Sequence, residues 1–325
     1  MTSGIEVYGQ GAMRPETLDG FIGQPSLVSN LQVMIQAAKG RGGLPNHILL
    51  AGPPGLGKTS LAGIIGRELG LDVITVSGAS LETPADAVTV VSRLRKASVL
   101  FIDEIHRMSA AAEETLYPAM EDGELQIQVG TGPSTEFVTV QVSPFVLVGA
   151  TTQVGQLTGP LRDRFGYHGR LQLYSEEDLA KIVSANAETL GVHLGEGAAD
   201  VVASRSRGTP RVANQLLRRV RDVAQVEGVD TVTPEHVAAA LDSFGVDSAG
   251  LDLVAQQLLR LLCTQFRGGP VGLASLASAA NETPASVETI HEPHLLKLGL
   301  ITRTPRGRVA TLEGFKHAGV EPPAP

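Results

Sequence analysis

One octapeptide, Gly52-Pro53-Pro54-Gly55-Leu56-Gly57-Lys58-Thr59, constrains this chain more than any other feature. It fits G-x-x-x-x-G-K-[ST] and lies between an apolar run, Ile48–Ala51, and a stretch that reads as a helix. Such a site needs a strand, a glycine turn whose backbone N–H groups face an anion, and a helix N-terminus whose dipole favours negative charge. A glycine turn beside an unrelated lysine would need none of those flanks. Chemistry then gives the expected roles. The glycines, Gly55 and Gly57 among them, open the cradle, and Lys58 meets the β- and γ-phosphates. The Thr59 hydroxyl ligates magnesium, and Ser60 adds a phosphate contact.

A second apolar run, Val99–Ile102, ends in Asp103-Glu104. This is the layout in which the first carboxylate holds hydrated magnesium and the second orients the attacking water. Two acids after a strand can merely cap the next turn, but with the phosphate loop upstream both motifs explain one chemistry. Thr151-Thr152 closes a further run, Phe145–Val148, and lies near the γ-phosphate if that strand neighbours the Asp103 strand. Arg164, followed by Phe165, suits an arginine finger that reaches a neighbouring subunit's site. Arg211 opens a later helix, where the dipole disfavours a cation unless an anion lies nearby.

The runs Ile48–Ala51, Val73–Val76, Val99–Ile102 and Phe145–Val148 predict four buried strands alternating with helices, hence an α/β layer around a parallel sheet. Residues 124–142 break the rhythm with two alternating segments around Gly130–Ser134, a protruding β-hairpin. After residue 170 the pattern is helical. Near the end, three helix-like segments and a turn at Thr304-Pro305-Arg306-Gly307 predict a winged helix, and Glu321–Pro325 reads as a frayed tail. Lys and Arg number 26 against 34 Asp and Glu, a net charge of -8, so any nucleic-acid contact is local. Within Ile301–His317, Arg303, Arg306, Arg308 and Lys316 face Glu313 alone, a local +3. With 4% aromatics and no Trp, such contact is to phosphate and not by base stacking. The alternative for this cluster is a merely solvated turn.

The single cysteine, Cys263, within Leu261-Leu262-Cys263, excludes an intramolecular disulfide and reads as a small core residue in a reducing cytosol. Met1–Gly11 lacks a basic and a continuous apolar region, and no run reaches 18 apolar residues, so a soluble cytoplasmic protein without a membrane partner is expected.

Taken together, these blocks resemble the RuvB family of AAA+ ATPases, the bacterial Holliday-junction branch-migration motors. The resemblance begins at Arg14–Gln24 and passes through the phosphate loop, Phe101–Arg107 and Leu116–Asp122. It continues through Pro160–Gly166, Arg205–Arg211 and Gly268–Leu273 to Arg303–Thr311. It implies an AAA+ core over residues 1–170, a helical lid over 171–245 and a winged helix over 246–325. It also implies an adenine pocket of Arg14, Phe21, Ile22 and Tyr174, Thr152 as first sensor, Arg164 as finger in trans and Arg211 as second sensor. Glu121 and Asp122 fall on a nucleotide-side segment, though a helix-end acid pair is the plainer reading. The implied cofactors are ATP and Mg2+. The implied partners are duplex and four-way-junction DNA at Arg303, Arg308 and then Arg306, the junction-recognising RuvA at the hairpin, the resolvase RuvC, and further copies in a hexameric ring. Roles in recombination, DNA repair and the SOS response come with the family. Rival readings from the residues are a clamp-loader-like or protein-remodelling ATPase, and a winged-helix protein using ATP only as a switch. The chain departs from the family's usual pattern at Gly123, Glu136, Gln153 and His294.

Overall fold

The computed structural model describes residues 13–129 and 136–323. Met1–Gly11, the Gly130–Ser134 turn and the last two residues of the tail therefore lie outside the described residues. Two compact units emerge: residues 13–182 with Thr209–Arg211, and Val183–Gly208 with residues 212–323.

The first unit holds α1 (Pro25–Gly40), β1 (Ile48–Ala51), α2 (Lys58–Leu69), β2 (Asp72–Ser77), α3 (Pro84–Val91), β3 (Ser98–Asp103) and α4 (Ala110–Glu121). After them come β4 (Glu124–Val129), β5 (Glu136–Gln141), β6 (Phe145–Thr151), α5 (Gly159–Asp163) and β7 (Tyr167–Arg170). Strands β2-β3-β6-β1-β7 form one parallel sheet in that order. Strand β6 is buried throughout and β3 nearly so, which is why both are continuous apolar runs. The sheet has five strands where the apolar runs predict four. The fifth, β7, is the edge sequence Tyr-His-Gly-Arg, which carries no apolar run because half of it faces solvent. Strands β4 and β5 pair antiparallel as the predicted hairpin, with Leu125 buried at its base and Val138 and Val140 exposed opposite Ile127 and Leu125.

Capping explains where these helices start. Thr83 and Asp86 form a capping box on α3, while Ser109 and Thr158 accept the N–H groups of Ala112 and Leu161 on α4 and α5. Gly123, at φ 70, turns the chain out of α4 into β4, a conformation that a large side chain would adopt only under strain. The apolar core under the sheet gathers Leu100, Ile102, Leu147, Leu116, Leu161 and Phe165.

Helix α6 (Glu176–Thr189) leads into the second unit, which contains α7 (Ala198–Ser204), nearly all of α8 (Pro210–Glu227) and α9 (Pro234–Ser243). Its remaining elements are α10 (Leu253–Thr264), α11 (Leu273–Ala279), α12 (Pro284–Ser286), α13 (Glu292–Lys297), β8 (Ile301–Thr304), β9 (Gly307–Ala310) and α14 (Leu312–Ala318). A π-helical turn, Val287–His291, joins α12 to α13. Strands β8 and β9 form the predicted wing, and Cys263 lies in the core beneath them, its thiol pushed up to about 11 by burial.

Lid and wing lie in one compact unit, and the segment joining them is bonded on both flanks. Arg207 donates to Gly250 O at 2.7 Å and pairs with Asp252 at 2.8 Å from the lid side. From the wing side, His317 meets Asp247 at 2.8 Å, and His294 donates from Nε2 to Ala249 O at 2.8 Å. No helix among the described residues is long and apolar enough to cross a membrane.

Candidate functional site

The chemistry-bearing residues of the first unit leave the carboxyl ends of three adjacent strands. Strand β1 runs into the glycine loop, β3 ends in Asp103, and β6 ends in Thr151, with β6 hydrogen-bonded between the other two. Loop ligands in parallel α/β sheets gather at this edge.

Gly57, at φ 104, turns the loop into α2, where an L side chain would be strained. Lys58 follows at the helix start, and its ammonium donates to Gly52 O at 2.8 Å and Pro53 O at 3.0 Å. Burial lowers the Lys58 pKa, the nearby Glu104 and Asp103 oppose that, and Arg211 adds to it. Thr59 and Ser60 follow in the first turn, half-buried. The loop is backed by the segments that the resemblance assigned to adenine. The Phe21 ring lies against Gly57, and the Tyr174 hydroxyl donates to Leu56 O at 3.3 Å. The Gln24 side chain ties those two segments together, its amide donating to Gln172 O at 2.7 Å and its Oε1 accepting the Gln172 N–H at 3.0 Å. Ile22 is half-buried beside Phe21, whereas Arg14 is exposed. The Arg211 N–H reaches Gly55 O at 3.3 Å, so the start of α8 sits on the loop itself.

At the end of β3, Asp103 Oδ1 accepts the Glu104 N–H at 3.1 Å. Glu104 is a non-glycine residue at φ 49, a left-handed conformation that costs on the order of 1–3 kcal/mol and persists where the surroundings enforce it. They do so through Gly78, where a Cβ would sit 2.3 Å from Glu104 O, so only glycine admits this turn. The Glu104 carboxylate accepts from Thr152 Oγ1 at 3.0 Å and approaches His106 Nδ1 at 3.2 Å.

Arg164 lies on its own subunit's α4. Its guanidinium stacks 3.9 Å over the Tyr117 ring, pairs with Glu121 at 3.2 Å and donates to Pro160 O at 2.8 Å. Glu113, Tyr117 and Glu121 are spaced four apart along one face of α4, and Tyr117 and Thr158 both donate to Glu113. Asp122 is exposed at the helix end.

In the wing, Arg303 and Arg308 face each other across the β8–β9 ladder, and both bind Glu292 bidentately. Arg303 donates at 2.8 and 2.9 Å and Arg308 at 2.9 and 3.0 Å. The Glu292 side chain is 1% exposed, Arg308 15% and Arg303 48%, so the clamp is sealed on one side and open on the other. Burial opposes the charged carboxylate, but the two guanidinium groups outweigh it and hold Glu292 below the ordinary carboxylate range. Arg306, on the turn, is exposed. Sequence reasoning missed this carboxylate although a signal was present. A turn at 304–307 places Arg303 opposite Arg308, and like charges directly opposite need an acid between them.

A parallel-sheet core with a phosphate loop, paired acids and polar residues on three adjacent strand ends, followed by a helical lid and a winged helix, defines a P-loop ATPase of the AAA+ class. Family models refine this. Residues 13–171 match the Holliday junction DNA helicase RuvB P-loop domain, 174–247 the RuvB AAA lid domain and 248–319 the RuvB C-terminal winged helix domain. The chain is similar to the Holliday junction branch migration complex subunit RuvB of Mycobacterium avium, at 49% identity over 99% of this chain and 93% of the relative. It is also similar to the subunit of the same description from Rhodococcus opacus, at 51% identity over 97% of this chain and 86% of that relative. The solved Thermotoga maritima RuvB Holliday junction branch migration motor superposes with a TM-score of 0.85 at 40% identity, covering 96% of this chain and 100% of that one. The chain belongs to the RuvB family. The RuvB matches over core, lid and winged helix stand against the clamp-loader-like reading.

Proposed function

We propose that this protein is an ATP-driven DNA motor that moves Holliday junctions, working with a RuvA-type junction-binding partner during recombination and repair. The observation that carries this reading is the convergence of Lys58, Asp103 and the Glu104–Thr152 pair at three adjacent strand ends, in a chain that matches all three RuvB domains.

Lys58 exchanges its loop carbonyls for the β- and γ-phosphates, and Thr152 moves its hydroxyl from Glu104 toward the γ-phosphate. Glu104 then takes the proton-accepting, water-orienting role. Thr59 and Asp103 are a hydroxyl and a carboxylate, the sparse set of hard oxygen donors that suits Mg2+ when phosphates and waters supply the remaining positions. Held there, Mg2+ would supply charge neutralisation for the phosphates. Arg164 acts in trans within a hexameric ring by leaving Glu121 for a neighbour's γ-phosphate, and Arg211 reports nucleotide state to the lid from its seat on Gly55. Exposed Val138 and Val140 support the hairpin as the surface for the partner protein. In the wing, Arg306 and the open side of Arg303 meet DNA phosphate; Arg308, expected with Arg303 to be first at the DNA, is only 15% exposed against Glu292 and instead holds the hairpin's shape. The setting is the cytoplasm.

Steady-state ATP hydrolysis with and without duplex and four-way-junction DNA, alone and with a RuvA-type partner, tests the proposal. Stimulation by DNA, increased by the partner, is the expected result. Hydrolysis indifferent to both would leave an ATPase but remove the motor.

A further inference from the structure

His106 lies three residues beyond Asp103, in a short helical turn, Ile105–Arg107, that the core packs from below. Its side chain is only 6% exposed, and its Nδ1 serves two partners: Glu104 Oε2 at 3.2 Å and Thr151 Oγ1 at 3.0 Å. Thr151 is fully buried and fixed at both ends. Its carbonyl accepts the Gly52 N–H at 3.1 Å, at the entry to the phosphate loop, and its hydroxyl oxygen accepts the Gln153 N–H at 2.9 Å. Oε2 is also the oxygen that Thr152 holds.

A ring nitrogen carries either one hydrogen or one lone pair, so these two contacts exclude each other as full hydrogen bonds. With hydrogen on Nδ1, His106 donates to the Glu104 carboxylate and fixes it. With a lone pair there, Nδ1 accepts the Thr151 hydroxyl and has no hydrogen to offer Oε2, which releases the carboxylate. We propose that His106 is a positioning residue for Glu104, setting the orientation of the water-activating carboxylate and linking it to the strand end that adjoins the phosphate loop. The inference rests on the ATPase reading above and adds to it a residue that touches neither phosphate loop nor metal ligand. A carboxylate left with Thr152 alone can rotate, and small misplacements of a reacting group lower turnover steeply.

The test is ATP turnover by the full-length protein carrying His106→Asn, His106→Gln or His106→Phe, with Glu104→Gln beside them. Asn places an amide N–H near the position of Nδ1, Gln places it near Nε2, and Phe keeps the ring without either nitrogen. The expected result is a kcat for His106→Asn within about threefold of the parent and at least about tenfold losses for Gln and Phe, with KM for ATP within about twofold throughout. Equal rates for Asn and Gln, or a parental kcat for Phe, would overturn the proposal. The Asn–Gln comparison decides the matter even if the Phe variant fails to fold. Parental turnover by Glu104→Gln would instead overturn the ATPase reading itself, whatever the histidine variants do.

Discussion

The strand ends of the core and the wing of the winged helix both set carboxylates against cations, but they hold them differently. At the strand ends each group keeps a contact that a phosphate can displace. Lys58 rests on two loop carbonyls and Glu104 is 32% exposed and held by one hydroxyl and one ring nitrogen, while beyond the strand ends Arg164, at the end of α5, likewise leans on exposed Glu121. In the wing, Glu292 is sealed and accepts four charge-assisted bonds from two guanidinium groups. On the proposed mechanism, the groups that change partners in each cycle sit on replaceable bonds. A group whose task is to keep a hairpin in shape sits on bonds that nothing in the cycle replaces.

The largest way to break this contrast is Arg164→Ala. If Arg164 serves a neighbour's site, kcat should fall by about 10³–10⁵ with nucleotide affinity and thermal stability nearly unchanged, read by turnover, nucleotide titration and calorimetry. Glu104→Gln should lower kcat by about 10²–10⁴ while ATP still binds. Both variants remove chemistry and leave the fold.

Glu292→Ala should do the reverse. Breaking a buried ion pair by removing one partner costs about 3–5 kcal/mol, and the half-exposed Arg303 places this case near the lower end. Denaturant unfolding should show that loss, while hydrolysis without DNA stays close to the parental rate. The carboxyl of Glu292 has a folded pKa below its unfolded value. Its stabilisation is therefore present above the ordinary carboxylate pKa and is lost as pH falls through the folded value. Acid titration of the parent should accordingly weaken the wing below about pH 4.5, a step missing from Glu292→Ala. The smallest effect belongs to Arg306→Ala, which should leave stability unchanged and reduce the salt slope of duplex-DNA binding by about one ion. An Arg308→Ala variant that lost DNA affinity without losing stability would erase the division of labour between the wing arginines.

The same contrast explains what the sequence made legible. The phosphate loop, Asp103-Glu104 and Thr151-Thr152 are contiguous motifs at strand ends, and the buried strands behind them are apolar runs, so both could be read directly. Strand β7 was not legible, because an edge strand of Tyr-His-Gly-Arg gains its place from pairing with β1 and not from its own composition. The Glu292 clamp and the contact of His106 with Thr151 join residues separated along the chain, and only the register of β8 with β9 hints at the former. The lid and the winged helix match separate domain models, and nothing in residues 247–252 announces that Asp247, Gly250 and Asp252 are bonded from both sides. The bond of His294 to Ala249 O gives that residue a place in the joint.

The most direct test of the motor itself is branch migration of a synthetic four-way junction with homologous arms, in magnesium-ATP with a RuvA-type partner. Parental protein should convert the junction to duplex products, and Glu104→Gln should yield none while still binding ATP and junction. Products formed by Glu104→Gln, or a parental protein that hydrolyses ATP and leaves the junction in place, would contradict the account.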